Sequence, residues 1–325
     1  MNPNQHGFMA GKSTSSAMAD FLNAVYKNMD MQKSCVGLFI DLSKAFDLVN
    51  HNKLLAKLWH NGIRGVPWNW FESYLQNRQY YVEMDGVKSN LLTSNRGVPQ
   101  GSVLGPLLYI IYVLDLTYEN TIMYADDTSS LVTARKRENI CTIATERLKQ
   151  LDDFFQSNEL FINYSKTAFI QFTNEGSEQN LSLLIKSKAG TIQQLKATRF
   201  LGIIVDNRLK WANHIEYMSK KLLIQCFTLK QLKRTVDNNI LKLYYFSRIH
   251  SLLSYGIIAW GACSETIKLF RSQKRAIRTI ADLRSYSSCR TFFKRLNIMT
   301  VPGSGGSSEE AGEAEPPLFF GAELP

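Results

Sequence analysis

Cysteine is sparse and unpaired: the five thiols, at positions 35, 141, 226, 263 and 289, include no C-x-x-C. The five histidines form no ligand-spaced cluster. Both absences argue against a zinc site or a disulfide framework and for a reducing compartment. No apolar run approaches the ~18 residues of a membrane span. No apolar stretch follows a basic N-terminus, so neither a membrane partner, a signal peptide nor another address is legible. Acidic charge is also short, with 28 Asp+Glu against 38 Lys+Arg and a net charge of +10. Five of the glutamates lie after Val301, in a stretch without Lys or Arg, which leaves residues 1–300 at +15. Such an excess points to a polyanionic partner, nucleic acid or an anionic surface. What the chain has in ordinary measure, 45% hydrophobic and 11% aromatic residues over 325 positions, suits one large globular domain or two smaller ones.

Ser13-Thr14-Ser15-Ser16 ahead of Ala17, Phe21, Leu22, Val25 and Met29 predicts a capped amphipathic helix. CVGLFID (35–41) is short, apolar and β-branched, and predicts a buried strand with a carboxylate at its tip. Helices are expected over 50–60 and 67–77, the second opened by Pro67. A hairpin is expected over 79–93, turning at Asp85-Gly86. GVPQGSVLGP (97–106) reads as a loop and LLYIIYVLDL (107–116) as a buried helix. YADDT (124–128), apolar on both flanks, reads as a tight turn between two strands. Helical period returns over 136–157, and strand patterns occupy 167–172 and 200–205. From Trp211 to Ile298 the pattern is helical, with KLLIQCFTLKQLKR and KRAIRTI as basic amphipathic segments. The Gly/Ser/Glu/Pro-rich stretch 301–325 is expected to be disordered.

Adjacent strand residues face opposite ways, so Asp126 and Asp127 reach one site only where the chain turns. A pair of aspartates in a turn is commonly just a polar turn. Here the apolar flanks, the second acid-tipped strand at Asp41 and the basic body favour a functional centre. Carboxylates gathered in a low-dielectric site repel one another unless a cation neutralises them. Magnesium, a hard ion with oxygen ligands, is the natural cation. Two such ions about 3.5–4 Å apart serve in-line nucleotidyl transfer.

FIDLSKAFDLVNH (39–51), GVPQGSVLGPLLYIIYVLDL (97–116) and YADDT (124–128), in this order, resemble the palm motifs of reverse transcriptases. FLGIIVDNRLKWANHI (200–215) resembles the primer-grip region that follows them. The variety is that of non-LTR, jockey-type retrotransposons, over about residues 5–300. The resemblance implies an α+β right-hand palm, an antiparallel sheet packed on helices, with partial fingers over 1–205. A helical thumb-like region over 206–300 and the 301–325 tail complete the expected organisation. It further implies RNA-directed DNA polymerase activity, with two Mg2+ ions (Mn2+ as substitute), an RNA template, a DNA primer and dNTPs as partners, and residence in nucleus or cytoplasm.

Carried over residue by residue, Asp41 and Asp126 resemble the two metal-binding carboxylates. The Leu42 carbonyl resembles a further ligand and Asp127 a third, less direct acid. Phe46 stands where the family keeps the aromatic floor that excludes a 2′-OH. The backbone amides of Ser43, Lys44 and Ala45, as at a helix start, would face the triphosphate. Gln100 would contact nucleotide and template, with Gly101 allowing close backbone approach. Lys166, in YSKT, matches the lysine proposed to protonate pyrophosphate. Asp47 and His51 read as structural braces, and Leu201-Gly202 as the grip on template or primer. GFMAGKST (7–14) resembles the fingers motif that lies near template or triphosphate, with Lys12 expected on template or primer, though Met9 and Lys12 replace the usual arginines. Lys12 thus offers charge without a guanidinium fork. The same stretch is not a phosphate loop, because His6 stands where that motif needs its first glycine. A complete element would carry an endonuclease and earlier fingers motifs ahead of QHGF, so a truncated enzyme is expected. The competing expectation is an inactive remnant that binds RNA or an RNA-DNA duplex.

Overall fold

A computed structural model describes residues 2–173 and 183–301. The chain forms two compact units, the first running to Lys210 and the second starting at Trp211.

The first unit opens with α1 (Thr14–Asp30), capped by a reciprocal Ser13–Ser16 box that satisfies donors at the helix start. β1 (Ser34–Ile40) follows, then α2 (His51–His60), whose N-cap Asn50 accepts from Lys53 N–H. α3 (Val66–Leu75) carries Pro67 in its first turn. A two-step hairpin comes next: β2 (Arg78–Tyr80) pairs with β5 (Leu92–Ser94), and β3 (Glu83–Met84) with β4 (Val87–Lys88) around Asp85-Gly86. α4 (Leu104–Tyr112) leads to β6 (Thr121–Tyr124), β7 (Asp127–Ala134) and α5 (Ile140–Ser157). β8 (Ala168–Phe172) and the short β9 (Lys186–Ser187), β10 (Gly190–Thr191) and β11 (Gln193–Gln194) precede a hairpin of β12 (Ala197–Phe200) and β13 (Ile203–Asp206).

Five strands form the main sheet in the order β11-β8-β1-β7-β6, with β1 central and antiparallel to both neighbours. Both faces of β1 are buried, and its alternation divides the core. Val36, Leu38 and Ile40 join a cluster with Leu54, Leu58, Leu108, Tyr112, Leu148 and Leu151 from α2, α4 and α5. On the other face Phe39 meets Phe21 of α1 at 5.6 Å and Phe200 of β12 at 5.8 Å, and Phe21 meets Phe172 at 6.3 Å. Gly37 fits here because a Cβ would come within 3.0–3.2 Å of Phe172, Phe21 and Phe39. Each such buried side chain contributes about 1.5–3 kcal/mol. A strand sandwiched this way is a rigid mount for whatever its C-terminal end carries.

The second unit is helical: α6 (Ala212–Leu232), α7 (Asn238–Tyr244) continuing through a wider-wound stretch (Tyr245–His250) into α8 (Ser251–Ser254), α9 (Ile257–Trp260), α10 (Ile267–Ala281) and α11 (Arg290–Arg295). α6 and α10 pack through Ile215, Met218, Leu222 and Cys226 against Leu269, Ala276 and Ile277. Lys268, Arg271, Lys274, Arg275 and Arg278 ride on α10 away from its buried stripe. Among the described residues no helix is long and apolar enough to cross a membrane.

Three expectations need correction. The strand expected over 200–205 is a hairpin, because Leu201 (φ +45°) and Gly202 (φ +85°) turn the chain between β12 and β13. The helix expected from 107 begins at Leu104 inside the supposed loop, since Pro106 falls in the first turn, where its missing N–H costs nothing. No helix starts at 43–45: Lys44 at φ +47° breaks the helical path, and turns run from Ser43 to Leu48. The 301–325 stretch lies, after Val301, outside the described residues.

Candidate active site

Register places the acids. β1 pairs with β7 up to Ile40↔Thr128, and Asp41 and Asp127 are the residues adjoining that last pair. β6 and β7 close with Tyr124↔Asp127 across a two-residue turn, Ala125-Asp126. The resulting β6–β7 hairpin thus presents two carboxylates to the tip of the central strand. On the opposite side Asn163 N–H donates to Asp41 O at 2.8 Å and Ser43 N–H to Phe161 O at 2.9 Å, flanking a Leu42↔Ile162 bridge. In an antiparallel ladder this turns the N–H and C=O of Leu42 the other way, toward the acidic turn.

Two clefts open beside the acids. The larger, about 370 Å³, is lined by Leu42, Lys44, Ala45, Phe46, Gln100, Gly101 and Asp126. The smaller, about 140 Å³, is lined by Phe39, Asp41, Asp127, Lys166, Phe200 and Leu201. The structure therefore gathers Asp126 with the residues expected to hold nucleotide, and Asp41 and Asp127 with Lys166 and the grip hairpin. Lys166 Nζ lies 3.8 Å from Asp41 Oδ2 and stays 70% exposed. It is not brought into the larger cleft.

Asp127, although open to the cleft on one side, has its carboxyl held above the usual value, first by burial and then by the charges of Asp126 and Asp41. Tyr109, fully enclosed, has its phenol pushed up by burial and further by Asp126. Among the described residues no three His, Cys, Asp or Glu side chains stand at metal-holding spacing. The donor set still fits a hard divalent ion: three carboxylates and a main-chain carbonyl are oxygen ligands of the kind magnesium takes, at a point where negative charge is crowded.

Phe46 stacks on Tyr109 at 4.5 Å and 24°, half buried, with an edge on the larger cleft. Sequence reading saw Tyr109 only as part of an apolar helix; nothing local marks it as the support of Phe46. Gln100 donates from Nε2 to Asp47 Oδ1 at 2.9 Å. The backbone beneath it is sewn to the Phe46 turn: Val98 N–H donates to Phe46 O (2.9 Å), Gly97 N–H to Val49 O (2.8 Å), and His51 Nε2 bonds Gly97 O (2.8 Å). Asp47 and His51 are thus braces, as expected. Glu159 ties the base of this loop by accepting from Asn50 Nδ2 and pairing with Lys53 and Arg96, and its carboxyl is held low by Asn50 first and by the two cations.

Several assignments shift in detail. Ser43 N–H is already given to Phe161 O, so of the expected amides only those of Lys44 and Ala45 belong to residues lining the cleft with this donor uncommitted to that bond. Gly101 takes a φ of +78°, and no atom of the chain lies within 4 Å of where a Cβ would sit. Lys12 bends back to donate to Pro3 O. Leu201 lines the smaller cleft, and Gly202 completes the turn behind it.

An acidic hairpin turn thus lies beside the acidic tip of a central strand on an α+β scaffold. Residues 1–205 match the reverse transcriptase (RNA-dependent DNA polymerase) family, and the chain belongs to it. It is 28% identical over 316 residues to a probable RNA-directed DNA polymerase from transposon BS of Drosophila melanogaster, covering 91% of this chain and 34% of that one. To the RNA-directed DNA polymerase from the mobile element jockey of the same fly it is 29% identical over 322 residues, covering 90% and 33%. The chain thus spans about a third of the length of these relatives. Among solved structures, apo telomerase from Candida tropicalis aligns over 90% of this chain and 50% of that one, at TM-score 0.46 and 14% identity. The family expected from the four ordered motifs is the family the match shows.

Proposed function

We propose that the chain adds deoxynucleotides to a primer 3′-OH on an RNA template, releasing pyrophosphate. The observation that supports this reading is that Asp41 and Asp127 adjoin the last β1–β7 pair and line one cleft, while Asp126 of the same turn lines the other. Asp41, Asp126, the Leu42 carbonyl and, less directly, Asp127 would hold two Mg2+ ions. Bound magnesium supplies activation of the attacking hydroxyl and neutralises charge on the transferred phosphoryl group.

The chain's own residues do the rest. Phe46, backed by Tyr109, presents a rigid ring where a ribose 2′-OH would fall and so favours deoxynucleotides. Gln100, held by Asp47, places base and template. Lys44 and Ala45 offer backbone amides to the triphosphate, and Lys166 gives a proton to the departing pyrophosphate. Leu201 at the smaller cleft, with Gly202 turning the chain behind it, grips template or primer, and Lys12 adds charge near the template. Basic residues of α10 in the second unit hold the nucleic-acid backbone without sequence preference, so affinity falls steeply with salt.

Primer extension on an RNA template with Mg2+ and dNTPs tests the reading against Asp126→Ala. Extension by wild type alone, with equal template-primer binding by both, is the expected result. No extension by either, with binding intact, would replace the enzyme by a nucleic-acid-binding remnant.

A further inference from the structure

Residues 4–7 run along the free edge of β6 and end against the acidic turn. Met123 N–H donates to Asn4 O at 2.9 Å and His6 N–H to Met123 O at 2.8 Å, on either side of a parallel Gln5↔Met123 bridge. The Gln5 side chain, 1% exposed, bridges its own segment and the turn. Its Oε1 accepts from Ala125 N–H at 3.0 Å and from Gly7 N–H at 2.8 Å, and its Nε2 donates to Ala125 O at 3.4 Å. Gly7 allows this approach, because a Cβ there would stand 2.3 Å from Ala125 N. Ala125 itself sits at φ +57°, a left-handed conformation that a residue with a side chain keeps only when its surroundings hold it.

The plain account is edge protection, since a paired strand edge resists wrong pairing. Backbone bonds at Asn4 and His6 already provide that. A buried amide aimed at both polar groups of the one strained residue before Asp126 does something else. We propose that Gln5 is a positioning residue for the metal site: its carboxamide locks the Ala125-Asp126 turn and thereby fixes the Asp126 carboxylate against Asp41. Partners of this kind, which orient a ligand without touching the ion, alter metal affinity about 10–100-fold when removed. The inference rests on Asp126 being a metal ligand, as proposed above.

Mn2+ binding to the full chain, read by electron paramagnetic resonance well below the melting temperature, tests it without requiring turnover. Gln5→Leu, which cannot accept from either N–H, is expected to weaken Mn2+ binding about 10-fold, and Asp126→Asn to weaken it further. Asn4→Ala removes a hydrogen bond from Asn4 Nδ2 to Tyr118 O in the same segment, away from the turn, and is expected to bind as wild type. Melting curves of all variants accompany the titrations. Wild-type affinity in Gln5→Leu, with loss in Asp126→Asn, would overturn this inference alone. So would an equal loss in Asn4→Ala at an equal drop in melting temperature, which would make the segment a general brace. Wild-type affinity in Asp126→Asn would overturn the metal reading and this inference with it.

Discussion

Gly97 and Gly101 flank Gln100 at nearly the same backbone angle, φ +85° and φ +78°, and an alanine at each separates conformational strain from collision. Left-handed geometry costs an alanine about 1–2 kcal/mol at either position. At Gly101 that is the whole effect, because the space around a new Cβ is open. At Gly97 the Cβ would lie 2.8 Å from Asp47 O and 3.0 Å from Asp47 Cα, backbone atoms that cannot swing aside. Forced overpacking adds roughly 1–3 kcal/mol. The expected gap between the variants is therefore about 2 kcal/mol, or ~4–8 °C in the melting of a unit of this size. Circular dichroism melts of both variants measure it. Gly97→Ala also pushes on the bond from Val98 N–H to Phe46 O, so deoxynucleotide selectivity should drop with it and stay intact in Gly101→Ala. Melting temperatures within 2 °C of each other, a margin set about that size conversion, would refute the tight seam between the two loops.

Phe46→Ala is expected to raise ribonucleotide incorporation relative to deoxynucleotide; unchanged selectivity in competitive extension removes the sugar-gate role. Lys166→Ala should slow single-turnover extension by about 100-fold or more if it is the general acid, and a loss below about 10-fold leaves it as an ion-pair partner of Asp41. Asp127 titrates above its ordinary value of 3.8, so the folded chain holds that proton more tightly than the unfolded one. Stability contributed by the neutral form is then present at low pH and lost as pH climbs from 3.8 through the raised pKa. Asp127→Asn keeps a neutral group throughout. Its melting temperature without divalent ions should exceed that of wild type by a margin that grows across this window; a constant difference contradicts a carboxyl raised by burial and by its acidic neighbours.

Much of the site was legible because its parts are local. An apolar run ending in Asp41, an Asp-Asp turn between apolar flanks and a Ser13-capped helix are each written in consecutive residues, and three matched the elements found. What escaped reading lies in contacts between distant segments. Gln5 reaches Ala125 across 120 positions, and Tyr109 reaches Phe46 by helix packing, with no pattern announcing either. The continuous strand expected over 200–205 failed for a different reason. Leu201 has no turn preference, and only the following Gly202 hints that an apolar stretch reverses direction. The division of the acids between two clefts followed from sheet register, which sequence spacing leaves open.

That register has a bearing on how copies of such a gene decay. From Cys35 to Ile40 β1 is apolar and buried on both faces, so inserting or deleting one residue near its end leaves a strand that can still pack. Yet the same slip puts Ile40 or Leu42 where Asp41 now adjoins the last β1–β7 pair and turns the carboxylate to the wrong face. A lineage can therefore lose its chemistry in a single in-frame step while its protein continues to fold, and an intact YADDT alone is no token of a working copy.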